Sequence, residues 1–225
     1  MTGSITVMAA TSLTAAMEAI TSEFEDRHPG VTVDTSFGSS GSLATSIVEG
    51  APADVFASAD IAQMDKVVNA RMNNDAPVTF TTNSLEIMVR PGNPDDITGL
   101  ADLADADIDV ATAEDGAPIR DYTDTVLARA GVTAHFVTYE ANVGGIVTKV
   151  TSGAADAGIV YRTDVIAAGS GASGVPIPDE QNVIAEYPIT TLLSSTNTAV
   201  ARAFVDFVLS SDGQAILKSF GFGER

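Results

Sequence analysis

Short β-rich runs in this chain repeatedly give way to hydroxyl- and glycine-rich turns that open helical stripes, and this alternation is what most limits its fold. Ile5-Thr6-Val7-Met8-Ala9 leads into Ala10-Thr11-Ser12-Leu13, and the run 31–37 leads into Gly38-Ser39-Ser40-Gly41-Ser42. Repeated strand–helix–strand units imply parallel strands covered by helices on both faces. In such sheets ligands sit outside the carboxyl ends of the strands. A helix start presents unpaired N–H groups and the positive end of the helix dipole, so facing starts make a charge-neutral cradle for an anion. That pattern points to binding rather than to chemistry.

Along the chain, Leu13, Ala16, Met17, Ile20 and Phe24 share one helical face that ends at His28-Pro29-Gly30. A helix carrying Leu43, Ile47 and Val48 follows, then a buried strand at 54–58 and a helix near 60–70. A second series begins after the strand 84–90, which Pro91-Gly92-Asn93-Pro94 breaks. Strands are expected near 108–111, 134–138 and 157–161, and helices near 118–130, 143–152 and 162–168. The run 169–174 is a flexible loop by composition. The stretch 183–193 is strand-like; a helix with Val200, Phe204, Phe207 and Val208 on one side follows, and a last helix spans 211–220. The expected class is α/β, with two lobes, each a mostly parallel sheet flanked by helices. Residues 1–80 and 187–225 form the first lobe, residues 81–186 the second, and hinge strands lie near 79–82 and 182–188.

Composition narrows the partners. A chain of 225 residues, 45% apolar, has enough material for a proper core. Thirty acidic residues against eleven basic ones give a net charge of −19, which argues against nucleic acid and anionic membrane surfaces. That field opposes an anionic ligand too, so its affinity must come from short-range, preorganised hydrogen bonds. Without cysteine there is no disulfide, thiolate metal site or cysteine nucleophile. No apolar stretch reaches the roughly 18 residues needed to span a bilayer. Met1-Thr2-Gly3-Ser4 reads as a short leader before the first strand.

Five runs together carry a resemblance. They are 5–14 (Ile5-Thr6-Val7-Met8-Ala9-Ala10-Thr11-Ser12-Leu13-Thr14), 37–44 around Ser40, 50–60 with Pro52-Ala53-Asp54, Gly158-Ile159-Val160-Tyr161-Arg162-Thr163-Asp164, and Glu186-Tyr187-Pro188-Ile189. In sequence and order this set resembles the molybdate-binding proteins of ABC importers. The resemblance implies a type II periplasmic-binding-protein fold, a tetrahedral oxyanion in an interlobe cleft, and delivery to an ABC permease. It also implies a periplasmic or cell-surface-associated monomer that binds molybdate or tungstate and has no cofactor, catalytic residue or cation ligand.

Carried over by position, Ser12 and Ser40 supply hydroxyl and backbone N–H donors from the first lobe. Ile119 and Val143 supply backbone N–H groups from the second, and Tyr161 its phenol. The run Ala117-Pro118-Ile119-Arg120 departs from the family's small, glycine-containing pattern and brings in Arg120 as a charged contact. A fully deprotonated dianion offers only acceptors, so a donor-only site favours it over phosphate, which keeps a proton much of the time. Sulfate satisfies the same chemistry and stays an alternative cargo, which only cavity size would exclude.

Plainer readings stand beside these. A serine at a helix start is by default an N-cap, worth about 1 kcal/mol. Tyr161 is by default a packing residue, Val143 a core residue, and Asp54 and Asp60 braces of their loops. A serine hydrolase is the rival class. Gly38-Ser39-Ser40-Gly41 resembles a nucleophile elbow, but Ser42 stands where the spacing needs glycine. The two histidines, His28 at a helix end and His135 on a strand of the other lobe, are poorly placed to serve as base.

Overall fold

The computed structural model describes residues 1–225. The chain runs through β1 (Gly3–Ala10), a 3₁₀ turn (Thr11–Leu13), α1 (Thr14–Arg27), β2 (Val31–Gly38), α2 (Ser40–Val48), β3 (Val55–Ala57) and α3 (Ile61–Asn69). It continues through β4 (Val78–Val89), a second 3₁₀ turn (Leu100–Ala104), β5 (Val110–Ala113), α4 (Pro118–Ala130), β6 (Phe136–Glu140) and α5 (Val143–Thr151). Then come β7 (Ala157–Tyr161), α6 (Arg162–Ala168), β8 (Ser173–Pro176), β9 (Ile184–Thr191), α7 (Thr198–Leu209) and α8 (Ser211–Ser219). Two compact units result: Met1–Thr82 with Glu186–Arg225, and Asn83–Ala185. The chain leaves the first within β4 and returns at the start of β9.

In the first unit β1 lies between β2 and β3, parallel to both, with Ala10 opposite Gly38 and Ala9 opposite Ala57. β9 closes the other side of β3 antiparallel, Ala57 facing Ile189. The stripe Leu13, Ala16, Met17, Ile20 and Phe24 is buried. Its 3.6-residue spacing turns one side of the helix inward, and Phe24 meets the edge of Phe204 from α7 at 5.3 Å. Asp54 ties the strands before β3, its carboxylate accepting from Thr6 N–H at 2.7 Å and from Ser195 Oγ at 2.5 Å.

In the second unit β5 lies parallel to both β6 and β7. β4 runs antiparallel to β7 and to β8. α4 begins with Pro118, whose missing N–H costs nothing in a first turn, and ends at Gly131, whose φ of 67° is left-handed. On β7, Gly158 admits α5: a Cβ there would lie 2.4 Å from Ile146 Cγ2.

Three expectations need correction. Gly3 and Ser4 are not a leader but the first residues of β1, paired with Val31 and Thr32. Segments 79–82 and 84–90 are one continuous strand, β4. The run 169–174 is not a free loop: a 3₁₀ turn (Gly169–Gly171) leads directly into β8, which hydrogen-bonds along β4. β4 is gripped near its middle from two sources. Gly223 N–H donates to Thr82 O and Thr81 Oγ1 donates to Gly223 O, both at 2.8 Å. Asn182 brackets Leu85, its Oδ1 accepting from Leu85 N–H at 3.1 Å and its Nδ2 donating to Leu85 O at 2.9 Å.

Candidate functional site

Because β1, β2 and β3 run parallel and in register, the loops after them emerge at one edge of the first unit. Ser12 lies in the 3₁₀ turn after β1, and Ser40 is the first residue of α2. Neither caps a helix. The cap of α2 is Ser39, whose Oγ accepts from Ser42 N–H at 3.2 Å, and the residue before the 3₁₀ turn is Ala10. Ser40 is 1% exposed, and its Oγ accepts the N–H of Ala59 from the loop after β3 at 2.9 Å. Ser12 Oγ lies 3.0 Å from the hydroxyl of Tyr187 on β9. Asp60, in the loop after β3, caps α3 through Gln63 N–H at 2.8 Å, so this carboxylate serves as a brace.

The second unit repeats the arrangement with different chemistry. β5, β6 and β7 end at one edge, where α4, α5 and α6 begin. Ile119 and Val143 stand in the first turns of α4 and α5, where N–H groups lack intrahelical partners. Their side chains are core, 2% and 4% exposed. Asn142 caps α5 through Gly145 N–H at 3.3 Å. Tyr161 ends β7, buried, its ring edge-on to Tyr122 at 6.3 Å.

Asp164, in the first turn of α6, accepts the N–H of Tyr161 at 3.0 Å. Burial pushes its carboxyl up to about 7, more than that hydrogen bond pulls it down. Arg120, a charged contact on the sequence reading, is committed within its own unit. It donates to Asp124 at 2.9 Å and lies over the rings of Phe136 and Tyr139 at 5.3 and 5.6 Å. Arg162, the other arginine in these first turns, faces Glu86 of β4 electrostatically.

The structure thus gathers Ser12 with Ser40 at one edge, and Ile119, Val143 and Tyr161 at another. Sequence reasoning missed the groups that hold the serines: Ala59, which carries no side-chain signal, and Tyr187, whose run belonged to the resemblance without a role. The histidines are engaged elsewhere: His28 Nδ1 is 2.9 Å from Phe24 O, and His135 Nδ1 is 3.7 Å from Asp109.

The family model for bacterial extracellular solute-binding proteins matches residues 5–223. The chain belongs to this family. Among extracellular solute-binding proteins, it is 37% identical over 221 residues to the molybdate-binding protein ModA of Mycobacterium tuberculosis, a match covering 98% of this chain and 85% of the relative. Two solved structures share its fold. The periplasmic molybdate-binding protein of Azotobacter vinelandii superposes with a TM-score of 0.84 at 24% identity, covering 98% of this chain and 99% of the other. The sulfate-binding protein SubI of M. tuberculosis H37Rv gives 0.87 at 23% identity, covering 97% and 86%. The fold is that of the periplasmic binding proteins, and members of the family serve transport by binding solutes.

Proposed function

We propose that this chain captures molybdate, and tungstate with it, outside the cytoplasmic membrane and delivers it as a monomer to an ABC permease. Ser12 and Ser40 donate from the first unit, and Ile119 N–H, Val143 N–H and the Tyr161 hydroxyl from the second. The observation that carries the reading is the bond from Ala59 N–H to Ser40 Oγ at 2.9 Å. It occupies one lone pair with a partner that can only donate, so the hydroxyl proton is not spent on that bond and is available to an acceptor such as an oxyanion. The named chemistry of the ModA relative supports the choice of cargo.

Sulfate is the second reading, since it too is a tetrahedral dianion that needs only donors and SubI shares the fold. Calorimetric titration of ligand-stripped protein with molybdate, tungstate, sulfate and phosphate separates the two. One-to-one binding of the first two, with weak response to the others, is the expected result. Equal sulfate affinity would change the cargo, and no response to any of the four would overturn the reading.

A further inference from the structure

A serine hydroxyl has one proton to give and lone pairs with which to receive. The two serines differ in what fixes the direction of their hydrogen bonds. Ser40 receives from a backbone N–H, a partner able only to donate. Ser12 lies 3.0 Å from the Tyr187 hydroxyl, a partner able to do either. Tyr187 is fully buried, its ring clasped edge-on by Phe80 at 6.4 Å and by Phe222 at 5.7 Å, so its hydroxyl has one place to be. A phenol, with a pKa of about 10, is more acidic than an alcohol and is the stronger donor of the pair.

We infer that Tyr187 is a positioning residue that determines specificity: by donating to Ser12 Oγ it commits the Ser12 proton to the ligand. The inference rests on the reading of Ser12 as an oxyanion contact. In this sense of the bond Ser12 meets a deprotonated oxygen well and meets a ligand's own hydroxyl badly. In the reverse sense Ser12 would give its proton to Tyr187 and turn lone pairs toward an anion. With phenylalanine at 187 the serine is free to adopt either role, and it then accepts the proton that hydrogen phosphate carries.

The test is titration of wild type, Tyr187→Phe, Ser12→Ala and the double variant with molybdate, sulfate and phosphate at one pH, with melting temperatures alongside. Tyr187→Phe keeps the ring and its packing. It is expected to weaken molybdate about tenfold and to narrow the molybdate-to-phosphate ratio by at least that factor. In the Ser12→Ala background it should change neither. A fluorinated tyrosine at 187, a stronger donor of the same shape, should widen the ratio when assayed below its own pKa.

An unchanged ratio in Tyr187→Phe, or the same loss with Ser12 already removed, overturns the inference while leaving the oxyanion site standing. Failure of wild type to bind any of the three anions removes that site, and the inference with it.

Discussion

The two units reach the same end, hydrogen-bond donors gathered at the carboxyl edge of parallel strands, by different means. The first presents side-chain hydroxyls, Ser12 and Ser40, each with its oxygen beside a second group, Tyr187 or Ala59. The second offers backbone N–H groups of α4 and α5, under side chains that belong to the core, with a single side-chain hydroxyl, that of Tyr161, beside them. A hydroxyl can be erased by changing its side chain, whereas the N–H groups of Ile119 and Val143 survive any substitution but proline. If both units hold the proposed oxyanion, most of the first unit's donors should therefore answer side-chain mutation and most of the second unit's should not.

The largest effect is expected from replacing Ser12 and Ser40 together by alanine. Two hydrogen bonds to a charged ligand are lost, roughly 3 to 6 kcal/mol of affinity by calorimetry. A loss below about 1 kcal/mol would break the comparison at the first unit. Next comes a proton-linked effect confined to the second unit. The Asp164 carboxyl titrates near 7 when folded against an ordinary 3.8, so between these values the folded chain holds a proton that the unfolded chain has released. Stability is thus expected to fall as pH rises through that window, by up to a few kcal/mol, and Asp164→Asn should flatten the fall in chemical denaturation.

A smaller effect sharpens the backbone claim. Val143 is the first residue of α5, a position that tolerates proline. Val143→Pro deletes the N–H and should weaken oxyanion binding about tenfold, while Val143→Ala keeps affinity within about twofold. Equal losses in both variants would assign the role to the side chain instead. The smallest change is Ile119→Val, expected to cost about 0.5 to 1.5 kcal/mol of stability in thermal melts and nothing in affinity.

Much of this was legible because periodicity and punctuation are local signals. The stripe from Leu13 to Phe24 marks α1, and Pro118 with Gly131 brackets α4. β8 was hidden because it is made by pairing rather than by its own residues. At its Gly174 a Cβ would lie 2.3 Å from Oε1 of Glu86, a neighbour 88 positions away (174 − 86), and displace that side chain. At the candidate site, the residue types at the helix starts could be read, but not the division of labour among them. Ser39 and Ser40 are adjacent hydroxyls, and only the fold sets one to capping and the other to Ala59. Tyr187 is 175 residues from Ser12, so no spacing rule could join them.

The grip on β4 has a mechanical consequence. Up to Thr82 the strand is clamped by Gly223, and at Leu85 by Asn182, with Asn83 and Ser84 between. Asn83 in that gap is itself held, its Nδ2 donating to Thr163 Oγ1 at 2.9 Å. The strand is thus pinned in register almost residue by residue, and it cannot slip along its length without breaking these bonds together.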